Sequence, residues 1–416
     1  MKILHTSDWH LGKYLYRKRR DNEFHDFLNW LYETIEAEKI DTLLVAGDIF
    51  DSTTPSNSAQ NLYYKFLAKV SSGYCSNVVI TAGNHDSPSF LAAPGRILKA
   101  LNIFVISSAD NENPENEVII LKDINGHASA VICAVPFLRE RDIRQSSIPG
   151  ETSLDKENQL LEAIKIHYKK VYQTAEEKIK FIEKEEKKKI PLITMGHLFT
   201  AGGKTTDNDG VRELYVGNIK HISADIFSEA SAYTALGHLH VPQTVSGKEN
   251  IRYSGSPLPM NFSEAEQKKS VVIAEFKKNS LTPEITVKPV PEFQKLIQIK
   301  GSYEHITDKI KKLKHSEADA WLEIEYTGNE ILTNLKDEMD KMTEDSNLEI
   351  LRIINKKLIS GILSQDADNQ TLETLDETDV FMKRLEIENL PEEQKQKLLS
   401  LYKEVLLTIN QTDEQE

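Results

Sequence analysis

The first 275 or so residues alternate short apolar runs with stretches of helical spacing. The runs are Lys2 to Thr6, Thr42 to Ala46, Asn77 to Thr81, Ala130 to Val135, Pro191 to Met195 and Ala232 to Leu236. They read as buried strands, and several end directly on Asp, Asn or His. Polar side chains then stand at the carboxyl ends of strands, where open α/β folds hold their ligands. Between Leu161 and Ile182 the apolar positions Leu161, Ile164, Tyr168, Val171, Tyr172, Ala175, Ile179 and Ile182 keep the three-and-four spacing of an amphipathic helix. Its other face is heavily charged, which suits either a helix packed on the core or one that meets a partner.

Asn279, Pro283, Pro289 and Pro291 interrupt regular structure between Lys277 and Phe293. A second pattern follows: strand (Leu296 to Lys300), helix (His305 to Lys314), strand (Trp321 to Tyr326), helix (Glu330 to Lys341) and strand (Leu348 to Ile354), a small α+β unit. Ser364 to Asp379 turns acidic and polar, as a linker does. Two helices are expected beyond it, Val380 to Glu388 and one that opens at Pro391 and carries Leu398, Leu401, Tyr402, Val405, Leu406 and Ile409 on one side. The expected organisation is an α/β domain over 1–280, a small domain over 290–360 and a helix pair over 378–412.

Composition narrows the class. Of 416 residues 39% are hydrophobic and 28% charged, the balance of a soluble globular protein, and no run approaches the roughly 20 apolar residues of a membrane helix. The opening residues lack the basic start and apolar run of a signal peptide, so a cytoplasmic protein is expected. Cys75 and Cys133 each sit in an apolar run, which favours buried reduced thiols and leaves nitrogen and oxygen to bind any metal. The net charge of −14 argues against coating nucleic acid by bulk electrostatics, while leaving room for a local basic face or a metal centre to hold phosphate.

Five separated segments join a strand-like run to metal-ligand residue types: Asp8-Trp9-His10, Gly47-Asp48, Gly83-Asn84-His85-Asp86, Gly196-His197 and Gly237-His238-Leu239-His240. One Gly-His after a strand means little; five such strand ends in one chain have no common structural explanation. Their order resembles the calcineurin-like metallophosphoesterases, whose D-x-H, G-D, G-N-H-D/E, G-H and G-H-x-H pattern is matched throughout. The resemblance implies a metallophosphoesterase β-sandwich flanked by helices, capped by the small α+β domain. It also implies two divalent ions, one held by Asp8, His10, Asp48 and His240 and one by Asp48, Asn84, His197 and His238, with manganese the favoured metal. A carboxylate with two oxygens can bridge both ions at Asp48, and alternation in His-x-His lets His238 and His240 address neighbouring ions. Such a pair of ions activates water for in-line attack and neutralises charge at phosphorus.

His85 lies outside that ligand set. Its position suggests a group that steadies phosphate and protonates the leaving oxygen, with Asp86 orienting the ring; a purely structural His-Asp pair is the alternative. Within the family, Met1 to Gly12, Val45 to Asp51 and Tyr253-Ser254-Gly255-Ser256-Pro257 resemble the bacterial SbcD nuclease subunits. That resemblance implies exonuclease action on double-stranded DNA ends, endonuclease action on hairpins or single strands, an SbcC-type coiled-coil ATPase as partner, a homodimer within a heterotetramer, and a place at the nucleoid. Archaeal and eukaryotic relatives carry a second active-site histidine where this chain has Asp51, so Asp51 either aids catalysis or caps a turn. The basic cluster Arg17-Lys18-Arg19-Arg20 after Tyr14 and Tyr16 suits either DNA phosphates or plain solvent. A phosphatase of the same fold, acting on a protein or a small phosphomonoester, is the rival enzyme; an inactive scaffold is disfavoured by the intact ligand pattern.

Overall fold

The computed structural model describes every residue except 124, 144–152, 201–221, 278–279, 329–331, 333 and 356–416, with backbone alone over 153–157. The linker and helix pair expected beyond Ser364 lie outside the described residues. The chain divides into two units, Met1–Ile297 and a second starting at Gln298.

In the first unit the chain runs β1 (Lys2–Thr6), α1 (Asp21–Glu38), β2 (Thr42–Ala46), α2 (Asn57–Ser71), β3 (Asn77–Thr81), the short α3 (Pro88–Ala92) and α4 (Gly95–Ala100), then β4 (Ile103–Ile106). It continues through β5 (Val118–Lys122), β6 (Ala128–Ala134), α5 (Glu140–Ile143), the long α6 (Ser153–Glu186), β7 (Leu192–His197), β8 (Ser231–Gly237), β9 (Gln243–Val245), β10 (Lys248–Tyr253), β11 (Ser270–Glu275) and β12 (Glu284–Pro289). One six-stranded sheet has the order β12-β11-β1-β2-β3-β4 and the other β5-β6-β7-β8-β10-β9. Strands β1 to β4 are mutually parallel, as are β6, β7, β8 and β10; β11 returns antiparallel against β1.

The apolar runs are continuous because these strands are covered on both faces. Leu44 and Ala46 of β2 meet Ile132, Ile193 and Tyr233 of the other sheet in a core between the sheets. Leu43 and Val45, on the opposite face, pack with Phe24, Phe27 and Leu31 of α1 and Phe66 and Val70 of α2. On the far side Ile164, Tyr168, Val171 and Ala175 of α6 cover Val131, Cys133 and Leu192, so this helix packs on the core. The layers run helix, sheet, sheet, helix. Each fully buried Phe or Leu of α1 contributes about 1.5–3 kcal/mol, so a charge at Leu31 would open that layer. Helix α2 starts at Ser56, whose side chain accepts from Ala59 N and satisfies one free amide of the first turn.

Two expectations need correction. The segment around Pro283 and Pro289 is no break in structure: β12 pairs along its length with β11. Pro289 is tolerated because it ends a strand at the sheet's edge. Cys75 lies just ahead of β3 rather than inside a strand, although both thiols are free and buried.

The second unit begins within β13 (Leu296–Gly301) and continues α7 (Tyr303–His315), β14 (Ala320–Tyr326), α8 (Leu335–Thr343) and β15 (Leu348–Asn355). Its sheet has the order β13-β14-β15, with β14 and β15 parallel. Among the described residues no helix is long and apolar enough to cross a membrane.

Candidate metal centre

The polar side chains gather where β1, β2, β3, β7 and β8 end. After β1 the chain enters the left-handed region at Asp8 (φ 53°) and His10 (φ 48°); after β2 it does so at Gly47 (87°) and Asp48 (49°), and after β8 at His238 (101°). For residues with a Cβ this costs on the order of 1–2 kcal/mol each and persists only where neighbours impose it. Here the two loops zip together, Asp8 N donating to Gly47 O (3.0 Å), His10 N to Asp48 O (3.0 Å) and Leu11 N to Ile49 O (2.9 Å). Two glycines leave room that no side chain would. A Cβ on Gly83 would stand 2.1 Å from Asp48 Oδ1, and one on Gly237 1.8 Å from Ala46 O.

Seven predicted ligands converge. His10 Nε2 and His240 Nε2 are 3.2 Å apart. His197 Nε2 and His238 Nδ1 each lie 3.0 Å from Asn84 Oδ1. Asp48 Oδ2 stands between the groups, 3.6 Å from His10 Nε2 and 3.4 Å from His197 Nε2, while Asp48 Oδ1 accepts from His85 N at 2.9 Å. Asp8 accepts from His238 N (2.9 Å) and from Ser7 Oγ (2.5 Å). His197 donates its Nδ1–H to Ala46 O (2.9 Å) and His240 donates its Nδ1–H to Glu264 Oε1 (3.1 Å), which leaves both Nε2 atoms as lone-pair donors. Lone pairs and carboxylate oxygens pointed at common points repel one another unless cations lie between them. The residues therefore fit two hard or borderline divalent ions with mixed nitrogen and oxygen ligands. Clusters Asp8–His10–His240 and Asp8–Asp48–His197 have the compactness a metal requires.

The electrostatics agree. Burial drives His238 down to about 3 and lowers His10. At His197 burial acts in the same direction, yet the Asp48 and Asp8 carboxylates outweigh it and raise the ring to about 9. Burial raises Asp8, whereas at Asp48 the imidazoles of His197 and His10 overcome burial and hold the carboxyl well below its usual range. A cation at this point would take over the role those protons play.

His85 sits at the edge of this group, its ring 4.8 Å from that of His10 and nearly perpendicular to it. Its Nδ1–H donates to the Asp51 main-chain oxygen (2.8 Å), which leaves Nε2 as the nitrogen able to exchange a proton. Asp86 does not orient this ring as expected. Its oxygens accept from Ile49 N, Phe50 N and Gly83 N at 3.1, 3.0 and 2.8 Å, and burial together with Asp48 raises its pKa to about 6. It is a brace that ties the loop after β3 to the loop after β2. Asp51 turns its carboxylate to His10 Nδ1 (3.2 Å) and Lys13 Nζ (2.9 Å).

The basic cluster divides. Arg17 and Arg19 are exposed and Lys18 is half-buried, but Arg20 is 2% exposed. Arg20 Nε meets Glu23 Oε2 (2.5 Å) and Nη1 donates to Pro259 O (2.8 Å), so Arg20 is withdrawn from any nucleic-acid contact. The turn from Leu15 to Lys18 closes by two backbone bonds and lifts Tyr16 onto Phe262 in a stacked pair. A cleft of about 880 Å³ opens beside Asn84, with Thr53, Ser87, Ser89 and Arg139 on its walls. Sequence reasoning missed Glu264, Lys269 and Lys13. Nothing in the spacing ties Glu264 to a histidine 24 positions earlier.

Residues 1–242 match the calcineurin-like phosphoesterase family, and residues 292–389 match the type 5 capsule protein repressor C-terminal domain. The chain is 35% identical over 411 residues to the SbcD subunit of nuclease SbcCD from Escherichia coli strain K12, covering 98% of both chains. It is 35% identical over 273 residues to the counterpart from Rhodobacter capsulatus, 64% of each chain, and 33% identical over 279 residues to that of Bacillus subtilis, 67% of this chain and 66% of the relative. With its candidate ligands gathered at strand ends, and similarity extending over nearly its full length, the chain belongs to the calcineurin-like phosphoesterases and, within these metal-dependent enzymes, to the SbcD nuclease subunits.

Proposed function

We propose that the chain hydrolyses phosphodiester bonds of DNA, as an exonuclease at double-strand ends and an endonuclease at hairpins and single strands, with two manganese ions as its cofactor. It works in the cytoplasm at the nucleoid, as a homodimer within a heterotetramer completed by an SbcC-type coiled-coil ATPase that docks on segment 378–412. The observation that supports this best is the convergence of Asp8, His10, Asp48, Asn84, His197, His238 and His240, all but Asn84 buried, beside an open cleft and a histidine outside the ligand set.

When bound, two divalent ions acidify a water for in-line attack and neutralise charge developing on the phosphoryl oxygens. Asp8, His10 and His240 would hold one ion and Asn84, His197 and His238 the other, with Asp48 available to both. Asp86 fixes the loop that carries Asn84 and His85. With Nδ1 committed to Asp51 O, His85 exchanges its proton at Nε2 and delivers it to the leaving oxygen. Arg17, Lys18 and Arg19 face the approaching strand.

The test uses the full chain with its ATPase partner and manganese, on end-labelled linear duplex, hairpin DNA and p-nitrophenyl phosphate. Nucleotide release and hairpin nicking that stop on chelation are expected. Turnover of the phosphomonoester alone would establish the phosphatase reading instead.

A further inference from the structure

We propose that two lysine–carboxylate–histidine relays, Lys13–Asp51–His10 and Lys269–Glu264–His240, hold the two histidines of one metal position, making Asp51 and Glu264 positioning residues for that ion. The inference rests on the metal assignment proposed above and gives work to four side chains that it leaves idle.

The relays approach from different parts of the chain. Asp51 Oδ1 lies between His10 Nδ1 (3.2 Å) and Lys13 Nζ (2.9 Å). Glu264, with no exposed surface, accepts from His240 Nδ1 at 3.1 Å and from Lys269 Nζ at 2.5 Å. His240 is thereby anchored by a hydrogen bond at Nδ1 and His10 by a close carboxylate contact at the same atom, and their Nε2 atoms face each other at 3.2 Å. A carboxylate on the far nitrogen fixes ring orientation and raises the basicity of the ligating one. It also adds negative charge where Asp8 and Asp48 are already buried, and each lysine offsets that charge. Lys269 is itself held by His240 O (3.1 Å) and Ser256 Oγ (2.9 Å), so it cannot swing away at little cost. The opposite position has a different arrangement, for His197 leans on the neutral carbonyl of Ala46.

Asp51 has a second connection. Its side chain addresses His10 while its main-chain oxygen holds His85, so changing the carboxylate acts on the metal ligand and leaves the anchor of the proton donor in place.

Manganese binding by the full chain, followed by calorimetry and by the spin-resonance signal of free Mn²⁺, tests the relays without reference to cleavage. Asp51→Asn and Glu264→Gln should each weaken one of the two ions by about 10- to 100-fold. The double variant should weaken that ion further than either single variant, and its departure from the product of the two losses measures the coupling of the relays through the shared ion. The manganese concentration for half-maximal cleavage should rise in step, with a smaller fall in kcat at saturation. If Glu264→Gln unfolds because Lys269 is stranded, the pair Glu264→Gln/Lys269→Met removes both charges and takes its place. Unchanged manganese affinity together with a lower Tm would overturn the proposal and leave both carboxylates as structural braces. A change in leaving-group dependence in Asp51→Asn would also overturn it, by showing that the carboxylate acts on His85. A wild-type chain that bound no manganese would refute the metal assignment itself.

Discussion

Replacing His85 with glutamine separates proton donation from positioning. The ring Nδ1–H donates to Asp51 O at 2.8 Å, a bond that a glutamine amide also makes, so the loop after β3 should keep its course. What disappears is the titratable proton at Nε2. General acid catalysis contributes about 10² to 10⁴-fold, which is roughly 2.7–5.5 kcal/mol of barrier at 1.36 kcal/mol per decade. Cleavage of DNA, whose sugar alkoxide is a poor leaving group, should fall by that factor in initial rates at saturating manganese. A phosphodiester with a nitrophenolate leaving group departs without a proton and should lose much less. Metal content, read by elemental analysis, should stay at the wild-type value. Equal losses on both substrates would refute the reasoning and assign His85 to holding phosphate, and loss of an ion would make it a ligand.

Other outcomes follow from the same geometry. Asp48→Ala removes the carboxylate that stands between the two histidine groups and should abolish activity and metal retention together; two tightly held ions in that variant would contradict its bridging role. Arg20→Ala strands the buried Glu23 and should destabilise the protein by about 3–5 kcal/mol, lowering Tm by several degrees, whereas Arg17→Ala should leave Tm unchanged and weaken DNA binding in a salt-dependent way. Burial raises both thiols, Cys75 to about 12, so neither should react with a thiol reagent at pH 8 until the protein is unfolded.

The candidate metal-ligand positions that the structure brings together stood out in the sequence because each lies at or just past the end of a strand covered on both faces, where an apolar run stops at a polar side chain. β1, β2 and β3 were legible to the residue for the same reason. The short, charged β9 and β10 give no such signal, and no local pattern announces that β11 will pair beside β1 or that β12 will form an edge through Pro289. Arg20 read as one more surface cation because burial there depends on Glu23 and on the distant carbonyl of Pro259. Asp86 read as the partner of its neighbour His85, when its oxygens were needed by three backbone amides. In each case the deciding contact lies outside the window that a sequence pattern spans.

The candidate ligands are divided between the two sheets: Asp8, His10, Asp48 and Asn84 follow strands of one, while His197 ends a strand of the other and His238 and His240 follow the next. Bound ions would therefore act as rivets through the sandwich, closing loops of up to 232 residues between Asp8 and His240. A chain emerging from the ribosome holds no complete set of ligands until the second sheet has been made and docked. On that assignment a half-built chain would lack the means to cut DNA, and the metal that arms the enzyme would also tie its two sheets together.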